Sequence, residues 1–204
     1  MNKICQKNLN NFLVSSEEEF TGFLHTLSWE TLIGPAELIL SAREKGNRLH
    51  ITGIGKPGHV ATYIASLFSS TGTPCYFLDG TEAVHGSCGQ LEAGDVVICI
   101  SNSGETAELK STALAIRNNG CKLIAVTGNP DSWLAGFCDA YLPAGVKCEG
   151  GPLNRAPRNS VLAEIAVLQA LSVVLQSERG WTPAQYVRCH PGGKLGELRQ
   201  DELG

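Results

Sequence analysis

The feature that most constrains the fold is a regular alternation of short apolar runs with longer amphipathic segments. The apolar runs lie at residues 49–54, 75–78, 96–100, 123–126 and 140–142. Helical patterns begin near Gly58, Thr106 and Ser132, and a longer one covers residues 160–177. Strands that alternate with helices form right-handed crossovers, which place the strands in one parallel sheet with helices on both faces. The sequence therefore predicts an α/β fold: a three-layer, doubly wound sheet of five parallel strands.

Helical periodicity also precedes the first strand, over residues 15–45. Apolar residues within 20–27 recur at steps of three and four, and the pattern resumes after Gly34 and Pro35, which predicts two N-terminal helices. With a core over residues 48–196 and a short polar tail, the 204 residues are expected to form a single domain.

Charge and composition argue against several classes of function. The formal net charge is −4, which does not favour the clustered Lys and Arg of a nucleic-acid binder. The N-terminal sequence has no apolar signal core, and no segment reads as the roughly 20 apolar residues of a membrane span. The eight cysteines include no CxxC pair, so reduced and mostly buried thiols are expected, with no metal site. We predict a cytoplasmic protein that contacts neither nucleic acid nor a membrane.

The most specific candidate site follows the third apolar run. Residues 101–106 read SNSGET and open a helix, so the hydroxyls of Ser101, Ser103 and Thr106 join free backbone N–H groups, with Asn102 between them. Hydroxyls at a helix N-terminus suit a phosphate group. The alternative is a helix cap without a ligand, although the residue three positions after each serine is not the Glu or Gln of a capping box.

Weaker candidates lie at three other loops. Gly55 and Lys56 supply a tight turn and a mobile cation, but a plain strand-to-helix turn explains them equally well. Glu82 and His85 are three residues apart and can share a helical face, where a His suits proton transfer, unless both are ordinary surface residues. His190 precedes a Pro-Gly-Gly turn and, taken alone, reads as structural.

Two acidic residues add to this set. Glu108 stands one helical turn past residues 101–106, and Glu149 precedes a Gly-Gly-Pro bend after the last apolar run. Ligands of doubly wound sheets bind beyond the carboxyl ends of the strands. Together with His85 and His190, these residues supply acids and bases at the loops where a ligand is expected.

Four segments, GIGKPGH, TGTPCYFLDGTEAVHG, DVVICISNSGET and RCHPGGKLG, resemble the signature segments of the arabinose 5-phosphate isomerases of the sugar-isomerase (SIS) domain family. They occur in the same order over residues 49–196. The resemblance implies a flavodoxin-like SIS fold and interconversion of arabinose 5-phosphate and ribulose 5-phosphate through an enediol, with no cofactor. It also implies a role in Kdo and lipopolysaccharide or capsule biosynthesis, and a homodimer or homotetramer with sites near subunit boundaries.

The same resemblance assigns roles to particular residues. Glu149 is the preferred base for the carbon-bound proton, and His190 is the alternative base or the group that opens the ring. His85 is expected to move protons on the substrate oxygens, Lys56 to stabilise negative charge, and Glu108 to occupy a further active-site position. Contacts to the sugar phosphate are expected from Gly55, Glu82, Ser101, Asn102, Ser103, Thr106, Arg158 and Ser160.

The sequence departs from the family pattern at three places. The family has hydroxyl residues at the positions of Pro57, Arg158 and Asn159. Arg158 is therefore expected to bind a phosphate or carboxylate group of the ligand, or to select a different sugar. The third departure is length: members of the family often continue into paired CBS modules, and regulation through such modules is not expected here.

Other functions stay open beside the leading one. Within enzymes, the alternative is isomerisation of another phosphosugar, such as a hexulose or heptulose phosphate. Outside enzymes, it is a non-catalytic sugar-phosphate sensor, because SIS domains also serve regulatory proteins. A Rossmann dehydrogenase is disfavoured, because the glycine fingerprint is incomplete.

Overall fold

Five parallel strands form the centre of the computed structural model, which describes residues 3–202. The strands are β1 (Leu49–Gly53), β2 (Cys75–Phe77), β3 (Val96–Ile100), β4 (Lys122–Thr127) and β5 (Ala140–Pro143). Their order across the sheet is β2-β1-β3-β4-β5, and every neighbouring pair is parallel. The predicted five-stranded parallel sheet is confirmed, because buried apolar runs of strand length mark each strand.

Helices cover both faces of the sheet. They are α1 (Lys3–Leu24), α2 (Trp29–Glu44), α3 (Lys56–Ser70), α4 (Ala107–Asn118), α5 (Trp133–Phe137), α6 (Asn159–Glu178) and α7 (Pro183–Arg188). Single turns of 3₁₀ helix lie at Glu82–His85, Ser87–Gln90, Lys194–Gly196 and Gln200–Glu202. Alternate residues of β3 point to opposite faces, so Ile98 packs with α2, α3 and α6, whereas Cys99 packs with α4 and α5. The predicted three layers are confirmed.

Four of the eight cysteines are buried as small apolar residues. Cys75, Cys88, Cys99 and Cys121 are buried, and burial raises the pKa of the Cys99 thiol well above its ordinary value. Cys189, beside His190, is instead exposed.

The N-terminal helices differ from their prediction in extent. α1 begins at Lys3, well before residue 15, and the break between the helices falls at residues 25–28 instead of at Gly34 and Pro35. α2 runs through Pro35, which costs a helix about 3 kcal/mol in isolation. The helix continues because its buried face, including Leu32 and Ile39, packs into the core, at about 1.5 to 3 kcal/mol for each large side chain.

α6 corrects a second prediction. Its 20 residues are long and apolar enough to cross a membrane by length and composition, although no such segment was expected. In the fold, α6 lies across one face of the sheet and packs against α1, α2 and α3. Contact with three helices explains why it is apolar around most of its circumference.

Candidate active site

The carboxyl ends of β1 and β3 meet where the order of the strands reverses. Gly53 at the end of β1 is paired with Ile100 at the end of β3, so the turn after β1 lies beside residues 101–106. In doubly wound sheets this crevice is where ligands bind. The loops that follow β2 and β5 leave the same edge of the sheet.

Residues 101–106 fold around their own hydroxyl groups. Ser101 Oγ accepts a hydrogen bond from Gly104 N at 3.1 Å and lies 3.1 Å from Thr106 Oγ1, and Ser103 Oγ accepts one from Glu105 N at 3.2 Å. Thr106 is the N-cap of α4, but its side chain makes no capping bond. The backbone N–H groups in the first turn of α4 are therefore free to donate hydrogen bonds to an anion. The helix cap considered as the alternative is not formed by the Thr106 side chain.

Two contacts hold this loop against α5. Gly104 has a φ of +67° and lies so close to Ser132 that a methyl group at Gly104 would collide with it. Glu105 Oε1 accepts a hydrogen bond from Trp133 N at 2.7 Å, while its other oxygen pairs with Lys110. Glu105 thus connects α4 to α5, a role that the sequence did not signal because the partner is 28 positions away.

The turn between β1 and α3 brings strand and helix into direct backbone contact. A methyl group on Gly53 would lie 2.8 Å from the carbonyl carbon of Pro57, and one on Gly58 would lie 2.8 Å from Gly53 O. Gly55 has a φ of +67° and is the N-cap of α3, so Lys56 is the first helical residue and is exposed. Pro57 has no N–H, which leaves this helix end a poorer anion site than the end of α4.

The loop after β2 is organised by Asp79. Its Oδ1 accepts hydrogen bonds from Thr81 N at 2.9 Å, Thr81 Oγ1 at 2.6 Å and Glu82 N at 3.0 Å. The Thr81 hydroxyl in particular holds the pKa of Asp79 below its ordinary value. Glu82 and His85 lie exposed on one 3₁₀ turn, where residues three apart are eclipsed. Asp79 was missed, although an Asp-Gly pair after a strand is a known turn signal.

The Glu149 carboxylate lies at the N-terminus of α6. Its Oε2 accepts hydrogen bonds from Arg158 N at 2.6 Å and Ser160 N at 3.2 Å. Asn154, with a φ of +49°, accepts in turn from Glu149 N at 2.6 Å. A carboxylate at a helix N-terminus is stabilised by the helix dipole and by these donors, so the geometry holds the Glu149 side chain in a fixed position.

The three residues at the start of α6 have different surroundings. Asn159 is buried, accepts a hydrogen bond from Ser16 Oγ at 2.8 Å and donates one to Cys148 O at 3.0 Å, so its amide ties α1 to the loop after β5. Ser160 is fully buried and reaches the site through its backbone N–H to Glu149. Arg158 is exposed at the head of the helix, where its side chain can meet a ligand.

Two cavities border these loops. One of about 300 Å³ is lined by the turn after β1 and by Asp79 and Thr81. The other, of about 290 Å³, is largely apolar and runs between α3 and α6, with Lys56 and Pro157 at its rim. Lys56 therefore lies close to the loop that carries Glu149. Among residues 3–202, no three His, Cys, Asp or Glu side chains are placed as metal ligands would be.

His190 lies apart from these loops. It stacks on Tyr186 with ring centroids 4.1 Å apart, and its Nδ1 is 2.9 Å from Tyr186 O. Because α6 has 20 residues, it carries the chain about 30 Å from the end that holds Glu149. Trp181, just past α6, fills the space beside Gly72 at the far end of α3. Within one chain, the fold brings the other candidate residues to one edge of the sheet and leaves His190 at the opposite end.

Comparison with known proteins identifies the family of the chain. Residues 43–174 match the SIS domain family. Arabinose 5-phosphate isomerase KdsD of Pseudomonas aeruginosa is 40% identical over 167 residues, which are 82% of this chain and 50% of that protein. The chain thus spans half the length of this curated relative.

Solved structures extend the comparison to the whole fold. c3406 of Escherichia coli CFT073, in complex with arabinose 5-phosphate, has a TM-score of 0.82 and 34% identity, and the match covers 94% of this chain and 100% of that one. The sugar isomerase domain of the RpiR transcription factor from Sphaerobacter thermophilus shares the fold, with a TM-score of 0.70, 18% identity and coverage of 88% and 93%. Since the family match covers more than half of the chain and c3406 is matched along its full length, the chain belongs to the SIS domain family.

Proposed function

We propose that the chain is an aldose-ketose isomerase of a sugar phosphate, and that it converts arabinose 5-phosphate to ribulose 5-phosphate. The observation that carries the proposal is the placement of the fixed Glu149 carboxylate on the same sheet edge as the uncapped N-terminus of α4. The N-terminus of α4 can bind the phosphate, and the Glu149 carboxylate can remove a carbon-bound proton. The name of the Pseudomonas relative and the sugar phosphate bound in the c3406 structure support the same substrate.

The proposed reaction follows from these positions. Residues 101–106 and the N–H groups of α4 bind the phosphate, and the ring opens to expose the aldehyde. Glu149 removes the C2 proton, the electron pair forms the C1–C2 double bond of an enediol, and the carbonyl oxygen gains a proton. Glu149 then returns its proton to C1 while the C2 hydroxyl loses one, which gives the ketose. Lys56 stabilises the oxyanion, and His85, with Glu108 nearby, moves the oxygen-bound protons.

We further propose that His190 acts in the site of a second copy of the chain. α6 is about 30 Å long and leads from the loop that holds Glu149 to the segment that carries His190, which favours a site shared across a subunit boundary in a homodimer or homotetramer. Mixing the inactive variants Glu149→Gln and His190→Asn under subunit exchange should restore activity, because some mixed sites keep both residues. A mixture that stays inactive after proven exchange contradicts a shared site.

Two other functions compete with this one. The exposed Arg158 at the head of α6 favours a second phosphosugar, such as a hexulose or heptulose phosphate, if its guanidinium selects the substrate. The fold shared with the RpiR domain makes a non-catalytic sensor the third candidate. The carboxylate held at the site favours an enzyme, because a sensor of an anion gains nothing from a negative charge there. We place the protein in the cytoplasm, where phosphosugars occur, and expect it to work without a cofactor.

One experiment distinguishes the three. The purified protein is incubated in deuterium oxide with pentose, hexose and heptose phosphates, and both aldose-ketose conversion and deuterium at C2 are measured. Conversion of arabinose 5-phosphate ahead of the others supports the proposal. Faster conversion of a hexose or heptose phosphate would instead identify the longer sugar as the substrate. Tight binding of a sugar phosphate without exchange of its C2 proton would support the non-catalytic sensor.

A further inference from the structure

A second carboxyl group lies buried behind Glu149. Glu164 is one helical turn after Ser160 on α6 and is 1% exposed. Among the described residues, neither Glu164 Oε2 nor Ser160 Oγ has a hydrogen-bond partner. An ionised carboxylate without partners in such surroundings is strongly disfavoured, so the neutral, protonated form is expected there.

The backbone of Ser160 connects the two carboxyl groups. Its N–H donates to Glu149 Oε2 at 3.2 Å, which places Glu149 at the end of the helix turn that carries Glu164. Burial raises the pKa of Glu164 to about 8, and the negative charge of Glu149 contributes to the rise. Both groups thus belong to one electrostatic unit in which a second negative charge is costly.

Within residues 3–202, the elements packed against α6 provide no hydrogen-bond partner for Glu164 Oε2. α2 turns an apolar face inward, and the sheet beneath α6 contributes apolar side chains. The charged and titratable groups around the head of α6 are Glu19 on α1, Lys56 and His59 on α3, and Lys147, Glu149, Arg155 and Arg158 on the loop after β5. Of these, Glu149 supplies the charge that acts on Glu164.

We propose that Glu164 is a positioning residue that stores one proton behind Glu149, so that the pair carries a single negative charge when a phosphosugar binds. The inference rests on the proposed function. Loss of the Glu164 proton adds a second anion at the head of α6. That anion repels both the phosphosugar and the negative charge of the enediolate, so substrate binding and the transition state are both weakened.

The test is the alkaline limb of the pH profile. In the wild type, kcat/KM should fall above pH 8, reaching a loss of about tenfold at pH 9 for a group of this pKa. Glu164→Gln keeps the size and neutrality of the protonated side chain but cannot ionise, so its kcat/KM should not fall over this range. Glu178→Gln, at the exposed far end of the same helix, is the matched control and should titrate as the wild type does.

A measurement on the wild type removes dependence on the folding of a variant. Infrared spectra of protein with ¹³C-labelled glutamate should contain a protonated carboxyl band at pH 7 that disappears as pH rises through about 8. Absence of that band overturns the inference, and so do identical alkaline limbs in wild type and Glu164→Gln while the isomerase function stands. A wild type inactive on every phosphosugar overturns the proposed function first, and the inference with it.

Discussion

Glu149 Oε2 lies 2.6 Å from the backbone nitrogen of Arg158, so the carboxylate proposed as the base also closes the N-terminus of α6. One side chain therefore combines the proposed catalytic role with an observed structural one. Substitutions that keep an oxygen at this position separate the two parts, because an amide oxygen still accepts the N–H but cannot take up a proton at neutral pH.

Glu149→Gln should bind a phosphosugar as the wild type does but lose turnover by about 10² to 10⁴, the range expected for a general base. Both kcat and kcat/KM should fall, together with deuterium exchange at C2. If Glu149→Gln still exchanges deuterium at the wild-type rate while His190→Asn does not, His190 is the base.

Ser103→Ala should raise KM strongly and leave kcat nearly unchanged, since Ser103 is exposed in the proposed phosphate loop. Ser111→Ala removes an exposed hydroxyl from the same helix, α4, and is the matched control. Steady-state kinetics on both variants provides the comparison. A sugar-phosphate complex with the phosphate elsewhere and residues 101–106 empty would contradict this prediction.

Arg158→Thr should change the ranking of phosphosugars by kcat/KM, because a charge-assisted contact contributes about 1.5 to 3 kcal/mol. Arg155→Thr, three residues earlier in the same exposed loop, controls for the loss of a positive charge. The readout is kcat/KM over the pentose, hexose and heptose panel. Equal rankings and KM values for the wild type and both variants would mean that Arg158 faces solvent in the complex.

Asp95→Asn should lower the free energy of unfolding by about 1.5 to 3 kcal/mol, the range for hydrogen bonds to a charged group, because its ion-pair partner Arg48 is 38% exposed. Asp95 is fully buried, accepts from Arg48 N at 2.8 Å and Glu92 N at 3.0 Å, and lies 3.2 Å from His50 Nε2. Urea unfolding at pH 7.5 measures the loss. Glu92→Gln changes only an exposed charge of this cluster, and its effect should stay below about 0.5 kcal/mol.

The same cluster should make the wild type sensitive to acid. Burial alone would raise the pKa of Asp95, but the N–H donors and the charge of Arg48 outweigh it, so the pKa is lowered. Burial also lowers the pKa of His50. Each shift means that the unfolded chain binds more protons, so stability declines as pH falls below about 6.5 and again below about 4. Unfolding free energies that do not change from pH 7.5 to pH 4 would contradict this.

The strands were predictable because each is a buried run in a parallel sheet, where hydrophobicity is continuous and local. The break between α1 and α2 was not, because Pro35 is a strong local signal that packing overrides. Most of α1 is exposed, with Phe23 as its only buried side chain among those described, so its beginning leaves little apolar periodicity to detect.

The local geometry of the candidate site was predictable where residues contact their own loop, as Ser101 and Thr106 do. It was not predictable where a partner comes from a distant segment. The sequence treats Ser160 as a ligand contact, whereas the fold buries its hydroxyl and uses its N–H for Glu149. Glu164 looks like a solvated residue of a long helix, and only the packing of α1, α2 and α3 around α6 reveals that it is enclosed.

The N-terminus of α4, which has no side-chain cap, and the N-terminus of α6, which Glu149 closes, lie at a set distance from each other. Both helices pack on the same sheet, so this distance changes little when a ligand binds. In the proposed function, the phosphate binds at the α4 end and the C2 proton is removed at the α6 end, so the distance between these ends sets how many carbons can lie between them. A sugar one carbon longer would have to bend or lose one of the two contacts, which makes the length of the carbon chain a determinant of specificity in that proposal.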